Sequence, residues 1–378
     1  MSNLDIALLS FPVLLVLIFA RMPIGLAMLI CGFFGNYLVL DRFTPILAQM
    51  KTLTFTTFSS YSLSIIPLFL LMGQFAAKGG MSQALFRAAN GWIGHRRGGV
   101  AMAAIGACAG FGAICGSSIA TAATMGKVAL PELKRFGYDG GLATGALAAG
   151  GTLGILIPPS VILVIYAILT EQNIAKLFLA AVVPGVFAML GYMLTIAIYG
   201  RVKPEASGQR EKAPMAERLQ LTFEVWPVLV VFFLVVFGIY FGWFTPTEGA
   251  AIGATGTGLI ALLNGGLKDG ALGQSIRETA VATGMIFLII LGAGVYNSFL
   301  ALSQLPQEAA TWVVEQGFSP WMVLTVILLT YLAFGCVMDS LSMILLTVPI
   351  FFPIVSGLDF GLSPDEFALW FGILILIV

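Results

Sequence analysis

Two interruptions inside apolar stretches of membrane-spanning length constrain this chain more than any other feature. One is at residues 116–121, with the sequence GSSIAT, and the other is at residues 157–160, with the sequence IPPS. Within hydrocarbon every backbone N–H and C=O group needs a partner, so such breaks occur only where the chain is buried or lines a cavity. Broken helices at this depth present amide dipoles to anions and free carbonyl groups to cations. The two segments therefore predict a transport site.

The composition also indicates a membrane protein. Hydrophobic residues make up 59% of the 378 positions and charged residues only 10%, which leaves too few charges to cover a soluble globule of this size. The formal net charge is zero, so nothing in the charge balance suggests a nucleic-acid partner. We expect an all-α polytopic membrane protein in contact with membrane lipids.

The first 200 residues are expected to form one structural repeat. Three spans, the second at residues 24–40, and an amphipathic arm helix precede an apolar hairpin at residues 98–131 and a broken span at residues 138–170. The hairpin is predicted because each arm beside its polar centre is shorter than the roughly 20 residues that a spanning helix needs. Within the broken span, interruptions are predicted at residues 150–154 and at the pair Pro158-Pro159.

The second half repeats this order. A basic linker at residues 201–221 marks a cytoplasmic loop, and residues 222–378 then contain spans, a second arm helix, a hairpin at 319–356 and an incomplete last span. An offset of 223 positions aligns Phe111-Gly112 with Phe334-Gly335 and Ser117 with Ser340. These correspondences predict an internal repeat, with scaffold and transport domains interleaved across both copies.

The distribution of basic residues predicts that the repeat is inverted. Basic pairs at 96–97 and 134–135 flank the first hairpin, whereas all 18 Lys and Arg residues lie at or before Arg277, ahead of the second hairpin. The positive-inside rule then opens the two hairpins to opposite sides of the membrane. In this alignment the second broken span would end beyond Val378, so we expect a C-terminally truncated chain.

The first hairpin tip and the broken span are predicted to hold a hard cation. Carbonyl and hydroxyl groups supply the oxygen atoms that this cation needs without burying a formal anion. The predicted ligands of this first ion are Gly116, Ser117, Ser118, Thr152, Gly154 and Pro158. Two alternatives are a plain kink at the two prolines and hydroxyl groups of Ser117 and Ser118 that only pack against a neighbouring helix or bond to the preceding turn.

The second hairpin carries Asp339, the only carboxylate central to an apolar hairpin. An ionisable group at that depth costs about 3 kcal/mol or more unless it is paired, so we place Asp339 near a second cation or the substrate; a structural carboxyl group is the alternative. The predicted ligands of the second ion are Gly335, Met338 and Asp339. A carboxylate substrate is expected to meet half-helix N-termini and polar side chains. The predicted substrate-binding residues are Cys115, Ser117, Ser118, Ser160, Asp339 and Ser340.

Two stretches carry a family resemblance, GAICGSSIATAATMGKVALPELKRFGYD and GGTLGILIPPSVILVIYA. With them, nearly the whole chain resembles the large membrane subunit of tripartite ATP-independent periplasmic (TRAP) transporters. The resemblance implies an elevator-type importer of organic acids, such as a C4-dicarboxylate or sialic acid, with sodium as the coupling ion and no other cofactor. It also implies the bacterial inner membrane, a small four-helix membrane subunit and a soluble periplasmic substrate-binding protein. Cys115 departs from the family, which often has serine there.

Other functional classes fit the sequence less well. A divalent-anion/sodium symporter that needs no binding protein is the closest alternative, because it would also build its site from two opposed hairpins. An uncoupled channel would need a continuous pore rather than two opposed hairpins. An intramembrane enzyme would need a His/Asp metal pair or a Ser/Lys dyad at membrane depth, and the apolar stretches contain neither. The sequence therefore predicts a transporter and not an enzyme.

Overall fold

A computed structural model describes residues 2–208 and 211–378, and every regular element in them is a helix. The prediction of an all-α chain is confirmed. The eighteen α-helices are α1 Asn3–Phe19, α2 Ile24–Leu40, α3 Phe43–Phe58, α4 Ile65–Lys78, α5 Met81–Ile93, α6 Gly99–Cys115, α7 Ser118–Arg135, α8 Gly140–Leu156, α9 Val161–Leu169, α10 Ile174–Val202, α11 Met215–Glu224, α12 Trp226–Tyr240, α13 Pro246–Leu263, α14 Ala271–Leu302, α15 Leu305–Glu315, α16 Pro320–Gly335, α17 Ser340–Ser356 and α18 Pro364–Ile377.

Several of these helices have the length and apolar character of membrane spans. By those two criteria α10 and α14, with 29 and 32 residues, could each cross a bilayer alone. Three bent pairs qualify when each pair is taken as one span, which gives up to five candidates among the described residues. The pairs are α3 with residues 62–78, α8 with α9, and α11 with α12, bent by 56°, 44° and 48°.

The chain forms two compact units, each assembled from separate segments. The first unit contains the chain up to Leu63, Ile165–Gln172 and Val281–Val378, and the second contains Ser64–Val164 and Asn173–Ala280. The chain passes from one unit to the other inside α9 and inside α14. The division into two inverted repeats stays a prediction, and residues 209 and 210 of the predicted linker lie outside the described residues.

Glycines allow close helix packing in the first unit. A Cβ atom at Gly25 would lie 2.8 Å from the Ile289 backbone nitrogen of α14, and one at Gly32 would lie 2.6 Å from that of Tyr296. This close approach lets the Asn36 side-chain amide donate to the Val295 carbonyl oxygen at 3.3 Å. Small residues and interhelical hydrogen bonds are the usual means of joining helices in a membrane.

The same unit contains the second hairpin, formed by α16 and α17. Its two helices are joined by a buried hydrogen bond in which the Thr347 hydroxyl donates to the Tyr331 hydroxyl oxygen at 2.6 Å. Thr347 and Tyr331 are both almost fully buried. The hydrogen bond therefore closes the hairpin within its packed core.

Helix α8 in the second unit corrects one prediction. Residues 150–154 were predicted to interrupt this span, but α8 runs without a break to Leu156. The glycines there permit close packing: a Cβ atom at Gly150 would lie 2.9 Å from the Cys108 sulfur of α6, and one at Gly151 would lie 2.7 Å from the Ala122 Cβ of α7. Glycine weakens a helix by about 1 kcal/mol relative to alanine, and contact with the first hairpin compensates for this loss.

Candidate functional site

The first hairpin reverses direction over two residues. Gly116 follows the last residue of α6 with φ +64°, in the left-handed region that glycine adopts without steric penalty. Ser117 is extended and caps α7, because its side-chain oxygen accepts a hydrogen bond from the Ala120 N–H at 3.4 Å. The tip was predicted at residues 115–121 and is narrower in the structure, since α6 ends at Cys115 and α7 begins at Ser118. The positive end of the α7 dipole lies at this tip.

The break between α8 and α9 spans residues 157–160. Ser160 is fully buried and caps α9, accepting a hydrogen bond from the Leu163 N–H at 3.4 Å. Pro158 and Pro159 have no N–H group, so the carbonyl oxygens of Gly154 and Ile155 lack the donor that a continuous helix would place four residues later. The break therefore combines free carbonyl groups with a second helix N-terminus.

The hairpin tip packs directly on this break. A Cβ atom at Gly116 would lie 3.2 Å from the Pro159 carbonyl oxygen, and one at Gly154 would lie 2.9 Å from the Ser117 carbonyl oxygen. A Cβ atom at Gly112 would lie 2.6 Å from the Gly154 Cα. The structure therefore brings together Gly116, Ser117 and Gly154, three of the six residues that the sequence predicted for the first ion.

Thr121 was not among the predicted ligands, yet it is the least satisfied polar residue of the tip. Its side chain is fully buried, and its hydroxyl oxygen has no hydrogen-bond partner among the described residues. The one described side chain within reach of a weak hydrogen bond to this hydroxyl is the Cys115 thiol, and a thiol is a much poorer partner than an oxygen or nitrogen atom. A Cβ atom at Gly154 would lie 2.6 Å from the Thr121 hydroxyl. A buried hydroxyl without a partner costs about 1–3 kcal/mol, so Thr121 is a candidate for binding a ligand.

The sequence contained one signal for Thr121. It follows the capping residue Ser117 by four positions, which places both residues on the same face of the helix. That face is directed at Gly154, as the short distances to both residues show.

Three other predicted residues have different surroundings. Thr152 is exposed, and its hydroxyl donates to the Ala149 carbonyl oxygen at 2.7 Å and lies 3.2 Å from the Tyr192 hydroxyl of α10. The described contacts do not bring Thr152 to the tip. Ser118 is half-buried, with its carbonyl oxygen against Gly151, and the buried Cys115 sulfur packs against Gly73 of α4.

The second hairpin tip lies in the first unit. Asp339 caps α17: its carboxylate accepts hydrogen bonds from the Ser342 hydroxyl at 2.6 Å and from the Ser342 N–H at 3.2 Å. Met338 is buried and Ser340 is half-buried, whereas Gly335 is exposed. The observed contacts of Asp339 are those of a helix cap, which was the structural alternative for this residue.

The family follows from comparison with known proteins. Residues 11–378 match the model of the family described as the tripartite ATP-independent periplasmic transporter, DctM component. The chain belongs to this family. The resemblance found in the sequence is thereby confirmed, and the chain is an integral membrane subunit of a TRAP transporter.

Three relatives illustrate the range of named substrates among TRAP permeases. A C4-dicarboxylate TRAP transporter large permease protein of Pseudomonas aeruginosa is 39% identical over 82% of this chain and 72% of the relative. A sialic acid TRAP transporter large permease protein of Vibrio cholerae is 29% identical over 93% of this chain and 81% of the relative. An isethionate TRAP transporter permease protein of Oleidesulfovibrio alaskensis is 30% identical over 84% of this chain and 50% of the relative. Because the relatives are named as permeases, this TRAP subunit is a transporter and not an enzyme.

Substitution of Asp339 separates its capping role from a role of its charge. Asp339→Ala removes both hydrogen bonds to Ser342 and is expected to destabilise the TRAP subunit by about 1–2 kcal/mol. Asp339→Asn keeps an oxygen acceptor and is expected to stay within a few tenths of a kcal/mol of the parent. Thermal unfolding of the purified protein in detergent measures both effects. Equal destabilisation by the two substitutions would contradict the capping role.

Proposed function

We propose that this TRAP subunit imports an organic anion across the bacterial inner membrane by sodium-coupled symport. The contact between the first hairpin tip and the α8–α9 break supports this proposal best. There the buried Thr121 hydroxyl has no oxygen or nitrogen hydrogen-bond partner among the described residues, and the proline pair leaves carbonyl oxygens without their helical donors. Neutral oxygen atoms of this kind suit a hard monovalent cation.

The charge of the site favours sodium over a proton as the coupling ion. Residues 98–131 and 140–170 contain no Asp, Glu or His, so neither segment offers a carboxyl or imidazole group to carry a proton. Sodium held there by Thr121, Ser117 and the carbonyl oxygen of Gly154 would add one positive charge. That charge would offset the negative charge of an anionic substrate.

The proposed substrate is an organic anion that meets the start of a helix. Ser117 and Ser160 each cap a helix at the tip or the break, and helix N-termini attract anions through their free N–H groups. Cys115, Ser118 and Ser340 stay predicted contributors, as do Gly335, Met338 and Asp339 for a second ion. A C4-dicarboxylate is the first candidate because the Pseudomonas relative named for that substrate is 39% identical.

We further propose two partner proteins and an elevator mechanism. The family name describes a tripartite system, and the proposed partners are a small membrane subunit and a periplasmic substrate-binding protein. In this mechanism the hairpins carry the bound substrate and sodium across the membrane together. It requires that the ion and the substrate are released on the same side.

Uptake into proteoliposomes tests the proposal. The TRAP subunit is reconstituted with and without its candidate small subunit and binding protein, and labelled C4-dicarboxylate, sialic acid and isethionate are offered in turn. An inward sodium gradient is expected to drive uptake of one of them only when all three proteins are present. A potassium gradient of the same size is the control for a diffusion potential. Uptake by this chain alone would instead support the stand-alone symporter. Uptake at the same rate without sodium would contradict the proposal that sodium is the coupling ion.

A further inference from the structure

Helix α11 lies against the arm helix α5 and buries one arginine. The Trp92 indole N–H of α5 donates to the Thr222 hydroxyl at 2.9 Å, and this hydroxyl donates to the Arg218 carbonyl oxygen at 2.8 Å. Arg87 and Glu224 form an ion pair between the same two helices at 3.4 Å. These contacts fix the Arg218 guanidinium 5.8 Å from the centre of the Trp92 ring.

Arg218 is buried with an incomplete set of partners. Only 6% of its surface is exposed, yet its Nε and Nη2 atoms have no hydrogen-bond partner among the described residues. These two nitrogens form the edge of the guanidinium that binds phosphate or carboxylate with two parallel hydrogen bonds. A buried charge without a counter-ion is strongly destabilising, so this edge points to an anionic ligand.

The surroundings of Arg218 are positively charged. The Nδ1 atom of His95 is also buried without a partner. Desolvation, followed by the charges of Arg218, Lys212 and Arg96, lowers the pKa of His95. Glu224 is already paired with Arg87. An anion at this point would therefore meet several cations.

An exposed apolar stripe runs along α11 beside this cluster. Met215, Leu219 and Phe223 follow one another at intervals of four residues and are 60%, 49% and 73% exposed, so they share one helix face. The apolar helix α12 follows after a bend of 48°. A short amphipathic helix joined to an apolar span is typical of the boundary between headgroups and acyl chains.

We propose that Arg218 binds the phosphate group of an anionic membrane phospholipid. The Nε and Nη2 edge of Arg218 holds two phosphate oxygens through two parallel hydrogen bonds. The acyl chains of the same lipid lie along Met215, Leu219 and Phe223. The lipid thus fixes α11 and the arm helix α5 at the membrane surface.

Native mass spectrometry of the delipidated full chain tests this site, with phosphatidylglycerol as the probe. Arg218→Gln is expected to weaken binding of the first phosphatidylglycerol at least about fivefold, because the paired hydrogen bonds to phosphate are lost. The matched control is Arg277→Gln, which removes one exposed positive charge from α14 and is expected to leave binding within about twofold. Equal affinity in the two variants would overturn the proposal.

Two further variants and a competition measurement distinguish a lipid site from a site for free anions. Phe223→Asn alters an exposed side chain, so folding is retained, and it is expected to weaken phosphatidylglycerol binding about threefold through lost acyl contact. Arg218→Lys keeps the charge but not the two-bond edge and is expected to bind as weakly as Arg218→Gln. Millimolar inorganic phosphate is expected not to displace the lipid. Full displacement, together with an unchanged affinity of Phe223→Asn, would show a free-anion site and overturn the lipid assignment.

Discussion

Replacing Gly154 with alanine is expected to reduce sodium-driven uptake by more than about tenfold, because the first hairpin tip can no longer dock on the α8–α9 break. The new Cβ atom would lie 2.6 Å from the Thr121 hydroxyl and 2.9 Å from the Ser117 carbonyl oxygen. The second of these is a backbone atom that cannot rotate away. Forcing extra atoms into such a packed contact costs about 1–3 kcal/mol.

Whether Gly154→Ala stabilises or destabilises the protein shows which effect dominates, close packing or helix propensity. Alanine in the interior of a helix is about 1 kcal/mol more favourable than glycine, so Gly154→Ala would stabilise α8 if the residue had no close neighbour. Gly145→Ala is the matched control, because Gly145 lies in the same helix and a Cβ atom there would have nothing within 4 Å. We expect the control to unfold at the same or a higher temperature and to transport normally. Identical behaviour of the two variants would contradict the docked tip.

Apolar length and terminal residues predicted much of the fold. The second span was predicted at residues 24–40, and α2 has these bounds. Pro23 precedes it and Asp41 ends it in a left-handed conformation, so both ends are marked by residues that do not continue a helix. Local signals of this kind suffice wherever the structure depends on neighbours in sequence.

Glycine-rich segments show where such signals fail. Helix breaks were predicted at residues 150–154 and at residues 116–121, but the structure has a break only in the second segment, at residues 116–117. Glycine permits a turn and permits close packing for the same reason, the missing Cβ atom. Residues 150–154 stay helical because their glycines pack closely against Cys108, Ala122 and Thr121 of the first hairpin. These are tertiary contacts, which the local sequence does not reveal.

Part of the candidate site was predicted from the sequence, and the rest depends on tertiary contacts. Ser117, Gly116 and Gly154 were identified from the breaks in the apolar pattern, and the structure brings them together. The spacing of four residues from Ser117 gave the face of Thr121 but not the state of its hydroxyl, because most helical threonines bond to the preceding turn, as Thr144 bonds to Gly140 at 2.8 Å. A missing hydrogen bond is visible only when all neighbours are known.

Thr121→Val provides the sharpest test of the proposed sodium site, because its effects on stability and on sodium binding should have opposite signs. Valine keeps the shape of threonine and removes a hydroxyl that has no described partner. Without sodium the variant is expected to be as stable as the parent or up to about 1 kcal/mol more stable, because a buried unpaired hydroxyl is lost. The sodium concentration for half-maximal uptake is expected to rise at least about tenfold, equivalent to about 1.4 kcal/mol.

The thermal shift caused by sodium measures this loss without requiring transport. An ion that binds only the folded protein raises its unfolding temperature as its concentration exceeds the dissociation constant. Thr144→Val is the matched control, because the exposed Thr144 hydroxyl bonds within its own helix. We expect the sodium-induced shift in the parent and in this control, and a much smaller shift in Thr121→Val. A Thr121→Val variant that is destabilised in potassium but still stabilised by sodium would show that this hydroxyl serves packing alone. Only a ligand that replaces the missing hydrogen-bond partner explains both a stable sodium-free variant and a lost sodium response.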